Sequence, residues 1–425
     1  MVKKLLAAFV LIAVLCLSAC QGGEGFYFPL KEQVTMSQAY ASSEISFPDT
    51  LWKASQLTED LSEILGDDAQ LSVADTRIRP VLYEGAPYNG HATKIFAYVG
   101  LPDSASAKSP VPAVVLVHGG EGTAFWDWVS MWLDKGFAAI AMDTEGRIPV
   151  IGSEMANGFR APLPDTMAGP SNSGYYADAA SPVSQQWMFH AVASVIAANS
   201  YLRSLPEIDA GSVGCVGVSW GGVICSIANC YDDRFAFAVP IYGALGMKDT
   251  PCNFGSIYAA NPRAAALWDT TEPLKSCQTP FLFVNGGSDY HFNVQGTFKS
   301  ARAAVHSRVL IKKTLDHSQY SASCVKETFE FAERVVRRDT PFYTIKEEPS
   351  KERPNLILEG PLKWNPSKIE ILYTEHENAV NWQSKRVDTT KNIAAEVPET
   401  AKYFFVNVTD PHNFTFSTNI CAMIE

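Results

Sequence analysis

From Val114 onward the chain alternates short, continuously apolar runs with longer segments of helical periodicity, and few folds accommodate that alternation. A strand that is apolar on both sides must be covered on both faces, which is the condition of a parallel sheet flanked by helices. Residues 114–117, 137–142, 213–218, 235–241, 280–284 and 308–314 read as such strands. Between them lie helical patterns at 125–135, which stops at Gly136, at 184–205, from Trp220, at 294–305 and at 325–338. Strand, helix, strand, repeated in this way, predicts an α/β fold with a doubly wound, mostly parallel sheet. Its reactive groups should lie beyond the carboxyl ends of the strands.

The flanks differ in character. Two β segments from Ile78 surround Tyr88-Asn89-Gly90, a hairpin signal, with the second at 93–99. After about Pro341 the pattern turns to short β-like runs at 355–358, 368–373, 403–408 and 414–416, predicting a small C-terminal β-sandwich-like domain. The predicted organisation is a leader at 1–19, a tether and N-terminal segment at 20–77, the α/β domain at 78–340 and the β domain at 341–425. Two stretches interrupt the alternation, 147–183 and 243–279; neither has readable periodicity, and both are expected to be loops over the active site.

The first residues read as a processed leader. Lys3 and Lys4 precede an apolar run, 5–17, too short for a comfortable bilayer span, and the run ends in Leu17-Ser18-Ala19-Cys20. That ending resembles the bacterial lipobox, whose cysteine is acylated and becomes the mature N-terminus. The expectation is a chain in the bacterial cell envelope, anchored to the membrane through lipid on Cys20 without spanning it. The formal net charge of −11 becomes −13 once Lys3 and Lys4 leave with the leader, and such a surface repels phosphate backbones, so nucleic acid is not an expected partner. Of nine cysteines, seven lie beyond Cys20, and no Cys/His grouping has zinc-ligand spacing. Cys215, Cys225 and Cys230 read as buried small hydrophobes, whereas Cys252 and Cys277 fall in a loop-rich stretch where an oxidising compartment could join them.

Chemistry concentrates in Gly217-Val218-Ser219-Trp220-Gly221. A serine hydroxyl is a poor nucleophile, so it must be exposed on a sharp turn where a base can reach it, and flanking glycines allow the turn from strand to helix. Base and acid are expected later in the chain, each just past a strand: Asp289 follows the strand ending at Val284, and His317 follows the one ending at Thr314. His317 would take the proton from Ser219 and return it to the leaving group, with Asp289 fixing the imidazole tautomer. Asp316 is adjacent to His317, which makes the side-chain approach awkward, and His291 follows Asp289 too closely to be the terminal base. An oxyanion needs preorganised donors, expected from the amides of Trp220 and of Gly120 or Glu121 in His118-Gly119-Gly120-Glu121-Gly122. His118 and His190 read as structural residues.

These segments, with Ala138-Ala139-Ile140-Ala141-Met142-Asp143, Asp232-Asp233-Arg234-Phe235 and Asn285-Gly286-Gly287-Ser288-Asp289, resemble the acetylxylan esterase and dienelactone-hydrolase-like branch of the α/β-hydrolases. The catalytic domains of prolyl oligopeptidases are also similar. The resemblance covers about residues 80–338 and implies a serine esterase with no metal or cofactor, acting on acylated carbohydrate or other small esters. Members often carry another glycine where Glu121 stands, and His-Gly-His where this chain has Asp316-His317-Ser318. Competing readings are an oligopeptidase-type serine peptidase, for which residues 21–77 are too short to supply a propeller, and a non-catalytic carbohydrate-binding surface lipoprotein. The last would use Trp364 and Trp382 to stack on sugars, where core positions in a sandwich are the alternative.

Overall fold

A computed structural model of the chain describes residues 26–29, 40, 42, 44–55, 57–59, 61, 64, 71, 73–149, 160–361 and 364–423. The expected leader and Cys20 lie outside them. Among the described residues, no helix is long and apolar enough to cross a membrane.

The hairpin expected from Asn89-Gly90 is present: β1 (Ile78–Glu84) pairs antiparallel with β2 (Lys94–Gly100) from end to end. Then follow β3 (Val111–Val117), α1 (Trp126–Leu133) and β4 (Ala138–Met142). Beyond α1 the chain turns at Gly136, whose φ of 77° suits the residue without a Cβ. A small hairpin of β5 (Arg147–Pro149) and β6 (Arg160–Pro162) precedes α2 (Trp187–Ser204), β7 (Ile208–Val218), α3 (Trp220–Tyr231) and β8 (Ala238–Ile241). Next come α4 (Asn253–Ala260), α5 (Pro262–Trp268), β9 (Phe281–Gly286), α6 (Val294–Ala303), β10 (Ser307–Lys312), α7 (Gln319–Ser323) and α8 (Lys326–Arg337).

These strands lie in the order β1-β2-β4-β3-β7-β8-β9-β10, parallel from β4 to β10 and antiparallel at β1 and β2. Strand order therefore reverses at β3: the chain moves outward to β4, then crosses back to β7 on the other side. A crevice opens at such a switch point beyond the carboxyl ends of the two strands. Val117 pairs with Gly217, so His118 and Ser219 emerge nearly side by side. The continuous apolar character of β3 serves two cores at once. Val115 and Val117 face a core shared with α2 and α3, while Val114 and Leu116 face one shared with α1 and α8.

The C-terminal β region is built from β11 (Thr344–Glu347), β12 (Ile357–Glu359), β13 (Lys368–Thr374), β14 (Gln383–Val387), β15 (Tyr403–Thr409), β16 (Thr415–Ser417) and β17 (Cys421–Ala422). β11 and β12 form a separate pair, but β16 pairs with β10 at Val309↔Ser417, so β15, β13 and β14 prolong the central sheet. Side chains complete that seam. The Ile311 N–H donates to Ser417 Oγ (2.9 Å), Asn407 Nδ2 donates to the Ile311 carbonyl (2.9 Å), and Ser417 Oγ donates to Asn407 Oδ1 (2.6 Å). Both cores run across it, with Leu372 and Phe405 in one and Ile371 and Val406 in the other.

One expectation needs correction, and one open possibility is decided. The stretch 243–279 is partly helical, holding α4, α5 and a 3-10 turn at Glu272–Lys275; with eight and seven residues, the two helices are too short to show a periodicity. Cys252 and Cys277 are not joined: each keeps its own thiol. Cys252 Sγ accepts from the Gly255 N–H as the cap of α4, and Cys277 Sγ donates to the Asn229 carbonyl.

A buried ion pair also ties the C-terminal strands to the rest: Arg334 Nη1 on α8 meets Asp410 Oδ2 at 2.6 Å, with both side chains 1% exposed. Asp410 also accepts from the His412 and Phe414 amides. Removing Asp410 leaves the buried Arg334 guanidinium with only the half-buried Glu330 carboxylate (2.8 Å), so Asp410→Ala should cost about 3 kcal/mol. It should lower the urea midpoint without changing the slope; an unchanged midpoint would show that the seam does not depend on the pair.

Candidate active site

Ser219 stands between β7 and α3 with φ 56° and ψ −120°, a conformation that serine rarely adopts. Its N–H donates to the Ile241 carbonyl (2.7 Å) and its carbonyl accepts from the Gly222 N–H (2.8 Å), which locks the turn. Glycine is required around it because other backbone passes so close. A Cβ on Gly217 would lie 2.0 Å from the Gly221 carbonyl oxygen, and one on Gly221 would lie 2.2 Å from that of Val117.

His317 Nε2 is 2.8 Å from Ser219 Oγ, and His317 Nδ1 is 2.6 Å from Asp289 Oδ2. The Asp289 side chain is fully buried, and its second oxygen accepts from the His291 and Phe292 amides, 2.8 Å each. Charge on Asp289 is therefore matched on both oxygens, and its position is fixed by backbone. Tyr242 packs its ring on His317 (centroids 4.7 Å, 30°) and donates from its hydroxyl to the Asp316 carbonyl (2.7 Å). Burial pushes the Tyr242 phenol up, which keeps it a donor. Thus Asp316 contributes its carbonyl to the support of the loop that bears His317.

The His118 loop lies against the same turn, for a Cβ on Gly119 would come within 3.1 Å of Ser219 Cβ. His118 is structural, as expected. Its Nε2 accepts from the Thr144 amide (3.0 Å), so the proton sits on Nδ1, which donates to the Gly119 carbonyl (2.6 Å). Glu121 has φ 61°, a left-handed conformation that a glycine would adopt without strain. Its amide donates to Glu145 Oε1 (3.2 Å), and Glu145 Oε2 pairs with Arg160 Nη1 (2.7 Å), which also donates to the Gly122 carbonyl (2.7 Å). With the Glu121 amide engaged, Gly120 is the better placed of the two expected donors, beside Trp220. Beneath the loop, Asp143 accepts from the Thr123 hydroxyl and the Glu145 and Arg147 amides. Burial raises its carboxyl above the usual range.

A cavity of about 470 Å³ opens over Ser219 and His317. Trp220, Tyr175 and Phe254 give it an aromatic wall; Tyr175 stacks on Trp220 (5.6 Å, 17°) and remains 52% exposed. Glu121, Glu145, Arg147, Arg160, Asn172 and His291 add polar side chains to it. His190 lies outside it, buried and bonded to the Ser184 carbonyl, a packing residue as expected. Trp382 is a core residue against Phe405 and beside Gly287, while Trp364 packs half-buried against Tyr343 and His412. Among the described residues, no three His, Cys, Asp or Glu side chains gather as for a metal ion. Glu145 and Tyr242 went unrecognised in the sequence, although each stands just past a strand, the signal that singled out Asp289.

The clash at Gly217 gives a direct test of the turn. Gly217→Ala sets a methyl group against backbone that cannot rotate away, and should destabilise the fold by at least about 3 kcal/mol, read as a lowered thermal midpoint. A midpoint at the wild-type value would mean that the turn relaxes easily.

Comparison with known proteins gives a family. The acetyl xylan esterase (AXE1) family matches residues 38–256, just over half of the chain, a span that holds Ser219 and the His118 loop and ends before Asp289 and His317. No curated protein matches. Among solved structures, the chain is similar to acetyl xylan esterase 1 from Thermoanaerobacterium sp. JW/SL YS485 at 15% identity, over 65% of this chain and 90% of that one, with a TM-score of 0.48. It is similar to an acetyl xylan esterase from Paenibacillus sp. R4 at 16% identity, over 65% and 87%, with a TM-score of 0.48. A Pyrococcus horikoshii acylaminoacyl peptidase has 15% identity over 61% and 42%, with a TM-score of 0.46. On the extent of the family match, this chain belongs to the acetyl xylan esterase family and is a serine hydrolase of the carboxylic-ester class.

Proposed function

We propose that the chain removes acetyl groups from acylated carbohydrate through an acyl-enzyme on Ser219. The observation that carries this reading is the continuous hydrogen-bond chain Ser219–His317–Asp289 at the floor of an open cavity. Ser219 Oγ attacks the acyl carbon while His317 Nε2 takes its proton, and Asp289 holds the imidazolium. The developing oxyanion is held by the amides of Gly120 and Trp220. Collapse breaks the carbon–oxygen bond, and the alcohol oxygen leaves with the proton from His317. Water then repeats the sequence on the acyl-enzyme and restores Ser219. Aromatic rings together with charged and amide side chains in one cavity suit a substrate with both ring faces and hydroxyl groups, which supports a sugar as the alcohol. Trp382 in the core supplies no surface for a purely sugar-binding role.

Ser219→Ala and Asp289→Asn should each lower kcat/KM on p-nitrophenyl acetate by on the order of 10⁴ with the fold retained. Equal rates for Ser219→Ala and wild type would remove Ser219 from the chemistry. Acetate release from acetylated xylan, set against cleavage of prolyl peptides, tests the substrate; peptide cleavage alone would turn the reading to a peptidase.

We further propose that Cys20 carries the lipid that holds the enzyme in the cell envelope, on the strength of Leu17-Ser18-Ala19-Cys20. Cys20→Ala should move the protein from the membrane fraction to the soluble one. Retention in the membrane would refute the anchor.

A further inference from the structure

His291 takes no part in the proton path above, yet it lines the cavity beside His317. Its place is fixed by backbone: its N–H donates to Asp289 Oδ1 (2.8 Å), and its carbonyl accepts from the Phe254 N–H (3.2 Å). The imidazole packs on that of His317, with centroids 4.7 Å apart at 50°. Asn253 Nδ2 lies 3.0 Å from His291 Nδ1. An amide nitrogen can only donate, so Nδ1 accepts, and a neutral ring must then carry its proton on Nε2. Burial favours the neutral ring, with neighbouring His317 adding to the effect and Asp289 opposing it. Asn253 is itself oriented, as the first residue of α4 with its N–H on the Tyr290 carbonyl (3.0 Å).

The side of the substrate that this group meets follows from the mechanism. His317 Nε2 must return its proton to the leaving alcohol oxygen, so that oxygen lies within hydrogen-bond reach of His317. With the Gly120 and Trp220 amides assigned to the acyl oxygen, the alcohol is left to the side of His317. A donor stacked on His317 therefore faces the alcohol, near the atoms adjoining the ester oxygen.

We propose that His291 Nε2–H binds a hydroxyl group on the carbon next to the esterified one, so that the site selects esters of vicinal diols, such as sugars and polyols, over simple alkyl esters. The proposal rests on the acyl-enzyme reading for the direction of the substrate, and it deepens that reading by naming the group that recognises the alcohol. A site built to bond a substrate hydroxyl discriminates against the analogue lacking it, because its own polar group is then left unpaired.

The test compares kcat/KM for 2-hydroxyethyl acetate and ethyl acetate, which share the acyl group and differ by one hydroxyl. Wild type should prefer the first by about tenfold, the worth of one good hydrogen bond. His291→Phe should bring the ratio to about one, and His291→Gln, whose amide can donate, should restore part of it. Because the readout is a ratio within one variant, a general loss of activity does not move it. Should His291→Phe fail to fold, Asn253→Leu, which releases the tautomer, should lower the ratio as well. A wild-type ratio near one, or a ratio unchanged by these substitutions, overturns the proposal. Preference for the hydroxyethyl ester without acetate release from acetylated xylan would remove the polysaccharide substrate and leave the role of His291 standing.

Discussion

The left-handed backbone at Ser219 is the constraint around which the molecule is arranged. A serine at φ 56° is held there because β7 and α3 approach too closely for any relaxed path between them. Gly222 and Gly243 extend that closeness to β8: a Cβ on Gly222 would lie 2.9 Å from Gly243 Cα, and one on Gly243 would lie 2.3 Å from the Ser219 carbonyl oxygen. Strain at one residue is thus sustained by several backbone contacts, each possible only without a side chain. What the arrangement secures is a hydroxyl lifted off the sheet into the crevice where the strand order reverses.

Around that residue, charge is satisfied in layers. Asp289 faces His317 with one oxygen and two amides with the other; His118 is held between the Gly119 carbonyl and the Thr144 amide; Glu145 binds the Glu121 amide and Arg160. Polar groups this deeply buried are costly unless each finds a partner, and once partnered they fix geometry. The cavity-lining residues consequently rest on a framework of paired buried groups.

The C-terminal β region takes part in this framework from the far side of the sheet. Trp382 packs beside Gly287 in the loop that leads to Asp289, where a Cβ would lie 3.0 Å from its ring. The seam of Ser417, Asn407 and Ile311 carries the sheet past β10, the last strand before His317. An edge strand left open there would expose unpaired backbone and invite association. Covering it keeps the strand that leads to His317 in register.

Much of this was legible in the chain. Continuous apolar runs at 114–117 and 213–218 demand a sheet covered on both faces, Gly217-Val218-Ser219-Trp220-Gly221 demands a turn that exposes a hydroxyl, and residues just past later strands supplied Asp289 and His317. Such signals are local, because periodicity and turn chemistry act over a few neighbouring residues. The tertiary structure decided what depends on contacts between distant segments. It brought Tyr242 onto His317, gave the Glu121 amide to Glu145, set Asn253 against His291, kept Cys252 and Cys277 as separate thiols, and joined β16 to β10. No pattern within one segment encodes these pairings, since each arises from the way a packed core brings two stretches of chain together. The proposed nucleophile and its hydrogen-bonding partners were legible in the sequence, whereas the shape of the cavity above them is a property of the folded chain.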